Sequence, residues 1–363
     1  MWFLVAVCLT VAACTPSNDP PPSTGSNPGS PSSTLPSTTT LDPTPTTSLA
    51  TTTTSPATGW LSDDPPQTYA TISSDSVVFV REGTTDVLQL PNLRSGIILD
   101  DSLIFALSTT SGTWIWPPLH GSEEKVPDGE EPVSRLIGQP AGEVTAWFHD
   151  AARVDDRPVA LYSEIESETD PIELRMMLFD LATGESTLVF DKLRRRPSLS
   201  GEEAADAFVI DAVIANDQVA VLFGFGDGTW VEWYGIDGQP LEALQVVDSI
   251  EGTILDLAAA GDLLAVGVET DLHRNMDRVW VVDMTSATVT GSVDPVFDPD
   301  RLRVPAEPDV SRASLSELSF DGRWVTAKVQ SVEGETLGVF GADIAGGETV
   351  MSPDWDLVAL DGR

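Results

Sequence analysis

Thr253-Ile254-Leu255-Asp256-Leu257-Ala258-Ala259-Ala260-Gly261-Asp262-Leu263-Leu264-Ala265-Val266-Gly267-Val268, continued by Arg278-Val279-Trp280-Val281-Val282-Asp283 and Ala287-Thr288-Val289-Thr290-Gly291-Ser292, is the stretch that decides the fold. Apolar and polar residues alternate along it with period two, not 3.6, so it reads as strands. Four strands are expected, near Ile254 to Ala258, Leu263 to Val268, Arg278 to Asp283 and Ala287 to Ser292. Gly261-Asp262 and Thr285-Ser286 supply the turns between them. Four strands in about forty residues make one propeller blade. The preceding unit, Ala207 to Val247, divides the same way.

Working outward, the same form recurs: an Asp-containing turn followed by five or six strand residues. It occurs at Asp75 before Val77 to Val80, Asp101 before Leu103 to Leu107, and Asp217 before Val219 to Phe223. Asp262 before Leu263 to Val268, Asp321 before Trp324 to Val329, and Asp354 before Leu357 to Leu360 complete the series. A second hairpin follows the internal copies, at Asp180 to Gly184, Asp237-Gly238, and Asp283 to Ser286. The expected fold is all-β, a β-propeller of six blades with seven as the alternative. Uneven spacing falls on the loops Gly121 to Pro132, Glu164 to Pro171 and Asp298 to Ser311. Ser352 to Asp361 reads as the first half of a blade and Val77 to Leu90 as a second half, so the two ends are expected to share a sheet and leave no long edge exposed.

Leu318 to Trp324, with its Ser319-Phe320-Asp321-Gly322 core, and Ser352-Pro353-Asp354 resemble the S-P-D-G openings of TolB-type, WD-repeat-like bacterial propellers. The resemblance implies a blade with a tight inner turn and carries no catalytic residue.

Ahead of the propeller region the composition changes. Residues 15–59 are dominated by Pro, Ser, Thr and Gly, with Asp19 and Asp42 as the only charges. Such a segment has too little apolar surface to offset the entropy of ordering, and is expected to be a disordered tether. Polyproline II at about 3.1 Å per residue would let it reach on the order of 140 Å when extended. The Thr51 to Thr54 run and its neighbours suit O-linked sugars.

From Trp2 to Ala13 the chain is almost wholly apolar but too short to span a bilayer, which takes about 20 residues. Its end, Val11-Ala12-Ala13-Cys14, resembles a bacterial lipoprotein signal, as found in actinobacterial-type lipoproteins with such stalks. The resemblance implies cleavage after residue 13 and lipidation of Cys14 through a thioether. The expected organisation is a signal peptide at 1–13, lipidated Cys14 and linker at 14–59, and the propeller at 60–363. Stable anchoring needs two or more acyl chains, each contributing about 0.8 kcal/mol per buried methylene. The bland alternative makes Cys8 and Cys14 apolar residues of an ordinary cleaved signal, which would release the protein. No Lys or Arg precedes the apolar run, so the resemblance leaves the start of translation open. The only two cysteines lie in this segment, so the domain beyond stands without disulfides or thiolate metal sites.

Candidate chemistry is sparse. His120, His149 and His273 lack metal-ligand spacing. His149 beside Asp150 is either a general base or a strand-end loop histidine. Asp294, Asp298 and Asp300 offer hard oxygens for Ca²⁺, yet Pro295 and Pro299 suit an extended connector better. Phe223 to Gly228 has glycines but neither the Lys nor the helix of a phosphate cradle, and reads as a turn between strands. Arg194, Arg195 and Arg196, with Lys192, read as an exposed blade-to-blade loop. With 57 Asp and Glu residues, a glycosidase-like pair cannot be picked out by spacing. Trp114, Trp116, Trp230, Trp233, Trp280, Trp324 and Trp355 could stack on sugars at one mouth, but core packing between blades is the expected role; Trp230 and Trp233 cannot share a face of one strand.

The formal charge of -38 repels nucleic acid and anionic lipid and favours cations or basic partners. The expectation is therefore a lipid-anchored, extracytoplasmic, monomeric binding or scaffold module for a protein or envelope glycan, with no cofactor and no nucleic acid. A carbohydrate-active hydrolase or lyase, and a solute or cation binder, are the alternatives.

Overall fold

The computed structural model describes residues 60–362 apart from 61–63, 74–75, 82–83, 91–92, 108–112, 119–122, 126–131, 138–143, 167–171, 195–207, 226–227, 271–275, 295–312 and 332–333. Its strands form six antiparallel sheets arranged as a β-propeller.

In chain order, β1 (Thr68–Ser73), β2 (Ser76–Arg81) and β3 (Thr84–Leu88) belong to blade 1. Blade 2 holds β4 (Leu93–Leu99), β5 (Ser102–Leu107), β6 (Thr113–Trp116), β7 (Glu123–Lys125) and β8 (Pro132–Ile137). Blade 3 holds β9 (Val144–Val154), β10 (Arg157–Glu166), β11 (Ile172–Asp180) and β12 (Ser186–Arg194). Blade 4 holds β13 (Phe208–Ala215), β14 (Gln218–Phe225) and β15 (Gly228–Gly235). Blade 5 holds β16 (Thr253–Ala260), β17 (Leu263–Glu269), β18 (Arg278–Asp283) and β19 (Thr288–Val293). Blade 6 holds β20 (Ser314–Phe320), β21 (Trp324–Gln330), β22 (Thr336–Asp343) and β23 (Thr349–Ser352). Finally β24 (Leu357–Leu360) pairs with β1 and becomes the inner strand of blade 1.

The strands of blade 5 fall where the alternation placed them, within one or two residues. Blade 4 departs from expectation. After β15 the chain turns at Asp237-Gly238 and makes one bridge, Tyr234 to Pro240. It then closes as a single helical turn, α1 (Gln245–Asp248), in place of a fourth strand. Val247 of that turn is buried against blade 5, so a helical plug covers surface that a strand covers elsewhere. The two ends share one sheet, as expected, but not as two hairpins: the C-terminal side contributes one strand and the N-terminal side three.

The inner turns confirm most of the Asp positions. Asp101, Asp217, Asp262 and Asp321 all lie between the first and second strands of a blade. Asp354 does not; it sits in the connector leading into β24, while Asp75 lies outside the described residues. At Asp321 the side chain explains the resemblance's tight turn, since its Oδ1 accepts the N–H groups of Arg323 and Trp324 at 2.8 and 2.6 Å. The outer hairpins repeat a related device. Asp180, Asp283 and Asp343 end the third strands of blades 3, 5 and 6 and cap the next turn by accepting its backbone N–H groups.

Apolar side chains on the two faces of each sheet meet those of its neighbours. The core is therefore six clusters, one per blade interface, and not a single centre. Trp114, Trp233, Trp324 and Trp355 are buried in these interfaces, as expected for core packing. Trp230 is 38% exposed where Trp233 is 2% exposed, which follows from their opposite faces on β15.

Candidate functional site: the central channel and its mouth

The inner strands β4, β9, β13, β16, β20 and β24 surround the axis, with their C-terminal ends at one mouth. Polar groups on an inner strand have no further strand to pair with, so something else must satisfy them. In three successive blades an aspartate does so at a β-bulge. Asp150 accepts the N–H of Ala151 at 2.8 Å and, across the interface, that of Ile214 at 2.7 Å. Asp211 accepts Ala212 N–H at 2.8 Å and Leu257 N–H in blade 5 at 3.1 Å. Asp256 accepts Leu257 N–H at 2.9 Å and Leu318 N–H in blade 6 at 3.0 Å. Each carboxylate is thus a clasp between one blade and the next, and the bulge in β9, β13 and β16 aims it.

Blade 6 breaks the pattern. Glu317 occupies the equivalent place with φ +55°, binds Lys328 Nζ through Oε1 at 3.0 Å, and leaves the buried Oε2 without a hydrogen bond. The link to blade 1 is made instead by Ser319 Oγ, which accepts Leu360 N–H at 2.8 Å.

Burial controls the electrostatics of this belt. It pushes the Asp150 carboxyl up to about 7 despite its two N–H donors. Asp211 is also raised well above the carboxylate range, by burial and by the adjoining Asp256 carboxylate, and burial raises Asp256 as well. Burial lowers His149 to about 4. His149 is neither in a loop nor at a strand end, contrary to one expectation. It lies within β9 at the bulge, with Nε2 2.8 Å from Ser163 Oγ and Nδ1 3.9 Å from Asp211 Oδ1. The imidazole is thus held neutral by burial, beside carboxylates occupied with backbone donors.

At the C-terminal mouth the channel widens into a cavity of about 470 Å³. Its floor is Ile98, Leu99, Ala151, Ala152 and Ile214, and its rim carries Asp100, Asp217, Asp262 and Asp361. The rim's one base, Arg153, is committed: Nε and Nη2 grip Asp100 at 2.8 and 2.6 Å, and Nη1 donates to Asp156 O at 2.6 Å. Gly362 lies across the rim. A Cβ there would meet Ala259 O at 2.6 Å, so only glycine permits this approach. Such a recess can bind a group with an apolar body and a positive end.

Other sequence candidates fall elsewhere. Asp294 forms an ion pair with Arg278, whereas Asp298 and Asp300 lie outside the described residues. Among the described residues no cluster of His, Asp and Glu is arranged to hold a metal ion. Cys14, His120, His273, Arg195 and Arg196 lie outside the described residues; Arg194 ends β12. Phe225 and Gly228 pair across the β14–β15 hairpin, in agreement with the turn reading. Among the described residues no helix is long and apolar enough to cross a membrane.

No family model and no curated protein matches the chain. Solved structures resemble it in fold. An oligogalacturonate lyase from Vibrio parahaemolyticus aligns with TM-score 0.43 and 11% identity over 76% of this chain and 70% of that one. The β-propeller domain of the Trilobed protease from Pyrococcus furiosus aligns with TM-score 0.41 and 8% identity over 78% and 90%. The acylaminoacyl peptidase of Pyrococcus horikoshii aligns with TM-score 0.41 and 9% identity, this chain spanning 48% of its length.

Proposed function

We propose that the chain is a membrane-anchored extracytoplasmic lipoprotein whose TolB-like propeller is a non-catalytic binding or scaffold module for a protein or envelope glycan. The observation that carries this reading is the division of labour along the channel. Inside it, Asp150, Asp211 and Asp256 are engaged with backbone N–H groups, and Asp211 also with Asp256. At the mouth, Asp217 and Asp262 are exposed around an apolar floor. A general acid and base need reachable protons, whereas a docking recess needs shape and complementary charge. The rim favours a basic or cationic group on the partner. The Val11 to Cys14 box supports the anchor, and the Pro/Ser/Thr segment supports a spacer between membrane and ring.

The test has two arms. In a host with lipoprotein processing, the wild type is expected in the detergent phase of a detergent partition and Cys14→Ala in the aqueous phase; equal partition would remove the anchor. Co-purification of the anchored form from its own membrane is expected to bring a partner that Asp217→Asn/Asp262→Asn loses. Turnover of glycan or ester substrates by the purified protein would replace this reading with a carbohydrate-active hydrolase or lyase. Calcium binding in calorimetry would replace it with a cation binder.

A further inference from the structure

The seam between blades 6 and 1 has the shortest inner strand of the ring. β24 has four residues, where β4, β9, β13, β16 and β20 have from seven to eleven. It is held on one edge by its register with Tyr69 to Ile72. Against this seam lies a residue that belongs to no strand. Trp60 is only 7% exposed, and its ring centroid is 5.0 Å from Tyr69 of blade 1, 5.1 Å edge-on from Trp324 of blade 6, and 5.9 Å from Trp355 in the connector between them. Val80, Val339, Val350, Val358 and Leu360 complete the cluster. The indole N–H makes no hydrogen bond, so the indole is held by packing.

A second attachment lies close by in sequence. Asp64 reaches Arg323 Nη1 at 2.7 Å, while Nη2 of the same guanidinium binds Asp343 at 2.6 Å. Arg323 also lies 5.9 Å over the Trp324 ring. The segment's indole and its carboxylate thus grip both sides of the interface that the shortest inner strand must close.

We propose that Trp60 and Asp64 form a latch that closes the ring, so that withdrawing them opens the blade 6–blade 1 seam while the other five interfaces persist. This inference does not depend on what the channel mouth binds. It places the root of the N-terminal segment inside the ring's closure, where an ordinary linker would be attached outside it.

Hydrogen–deuterium exchange on the full chain tests it. In Trp60→Ala, exchange in Leu357–Leu360 and Thr68–Ser73 is expected to rise about tenfold or more, with blades 3 to 5 near wild type. Trp60→Phe is expected to restore most of the protection, and Asp64→Asn to give a smaller rise in the same two strands. Trp233→Ala, a loss of equal bulk at the blade 4–blade 5 interface, is expected to spare the seam. Unchanged exchange in β24 and β1, or a rise spread evenly over all six blades, would overturn the proposal. Should Trp60→Ala fail to fold, Trp60→Leu, which keeps bulk but loses the ring contacts, and Asp64→Asn decide it: no rise at β24 in both refutes the latch.

Discussion

Asp150 shows how much one side chain can carry in this ring. Removing it in Asp150→Ala strands two backbone donors, Ala151 and Ile214, in a buried strand. An unsatisfied buried donor costs about 1–3 kcal/mol, so a loss of roughly 3 kcal/mol is expected in urea unfolding, and less in Asp150→Asn, which keeps one acceptor. The same belt sets a pH dependence. Asp150 and Asp211 have folded pKa values above their unfolded ones, so the native state binds more protons. Their contribution is present in full below the unfolded carboxylate range and is lost as pH rises through the folded values. His149 is shifted the other way, and its contribution falls away as pH drops from 6.5 toward about 4. Above pH 6.5 His149 no longer acts, and stability should fall as pH rises through about 7, the folded value of Asp150. Asp150→Asn should flatten that fall in a series of thermal melts.

Blades 5 and 6 carry the same outer-hairpin aspartate with different loads. Asp283 caps its turn through Ser286 N–H alone, and Asp283→Ala should cost about 1 kcal/mol. Asp343 accepts the N–H groups of Ala345 and Gly346 and also holds Arg323, with a side chain only 3% exposed. Asp343→Ala should therefore cost about 3 kcal/mol in the same assay, because it frees a guanidinium as well as a turn. Alternation and Asp-containing turns made blade 5 readable from sequence, because each strand there obeys period two. Blade 4 misled for a physical reason. Leu244 to Val247 is apolar enough for a strand, but its burial is achieved by one helical turn, and short apolar runs do not distinguish the two. The clasps have a counterpart in the sequence. An acid flanked by apolar neighbours, as in Ile210-Asp211-Ala212 and Leu255-Asp256-Leu257, recurs five or six residues ahead of an inner turn. Spacing could not show that the acid reaches into the next blade, because that contact is set by the ring and not by the strand. The cavity rim was partly visible as turn aspartates, but its apolar floor comes from three inner strands, β4, β9 and β13, far apart in sequence.

For the molecule as a whole, net charge is the dominant long-range term. A formal charge of -38 acts against compaction through self-repulsion, and salt screens it. The melting temperature should rise by several degrees between about 0.02 M and about 0.5 M NaCl, with most of the gain at the low end. A flat response would mean that the excess carboxylates are spread too widely for their mutual repulsion to oppose folding.

Closure by a single late strand also dictates the order of assembly. β1 is made first among the strands and β24 last, yet they are neighbours in one sheet. Until β24 arrives, the edge of β1 stays open while the intervening blades stack, which is a slow topology with an exposed pairing surface. A chain delivered N-terminus first could build five interfaces as it emerges, but the sixth must wait until β24 is free.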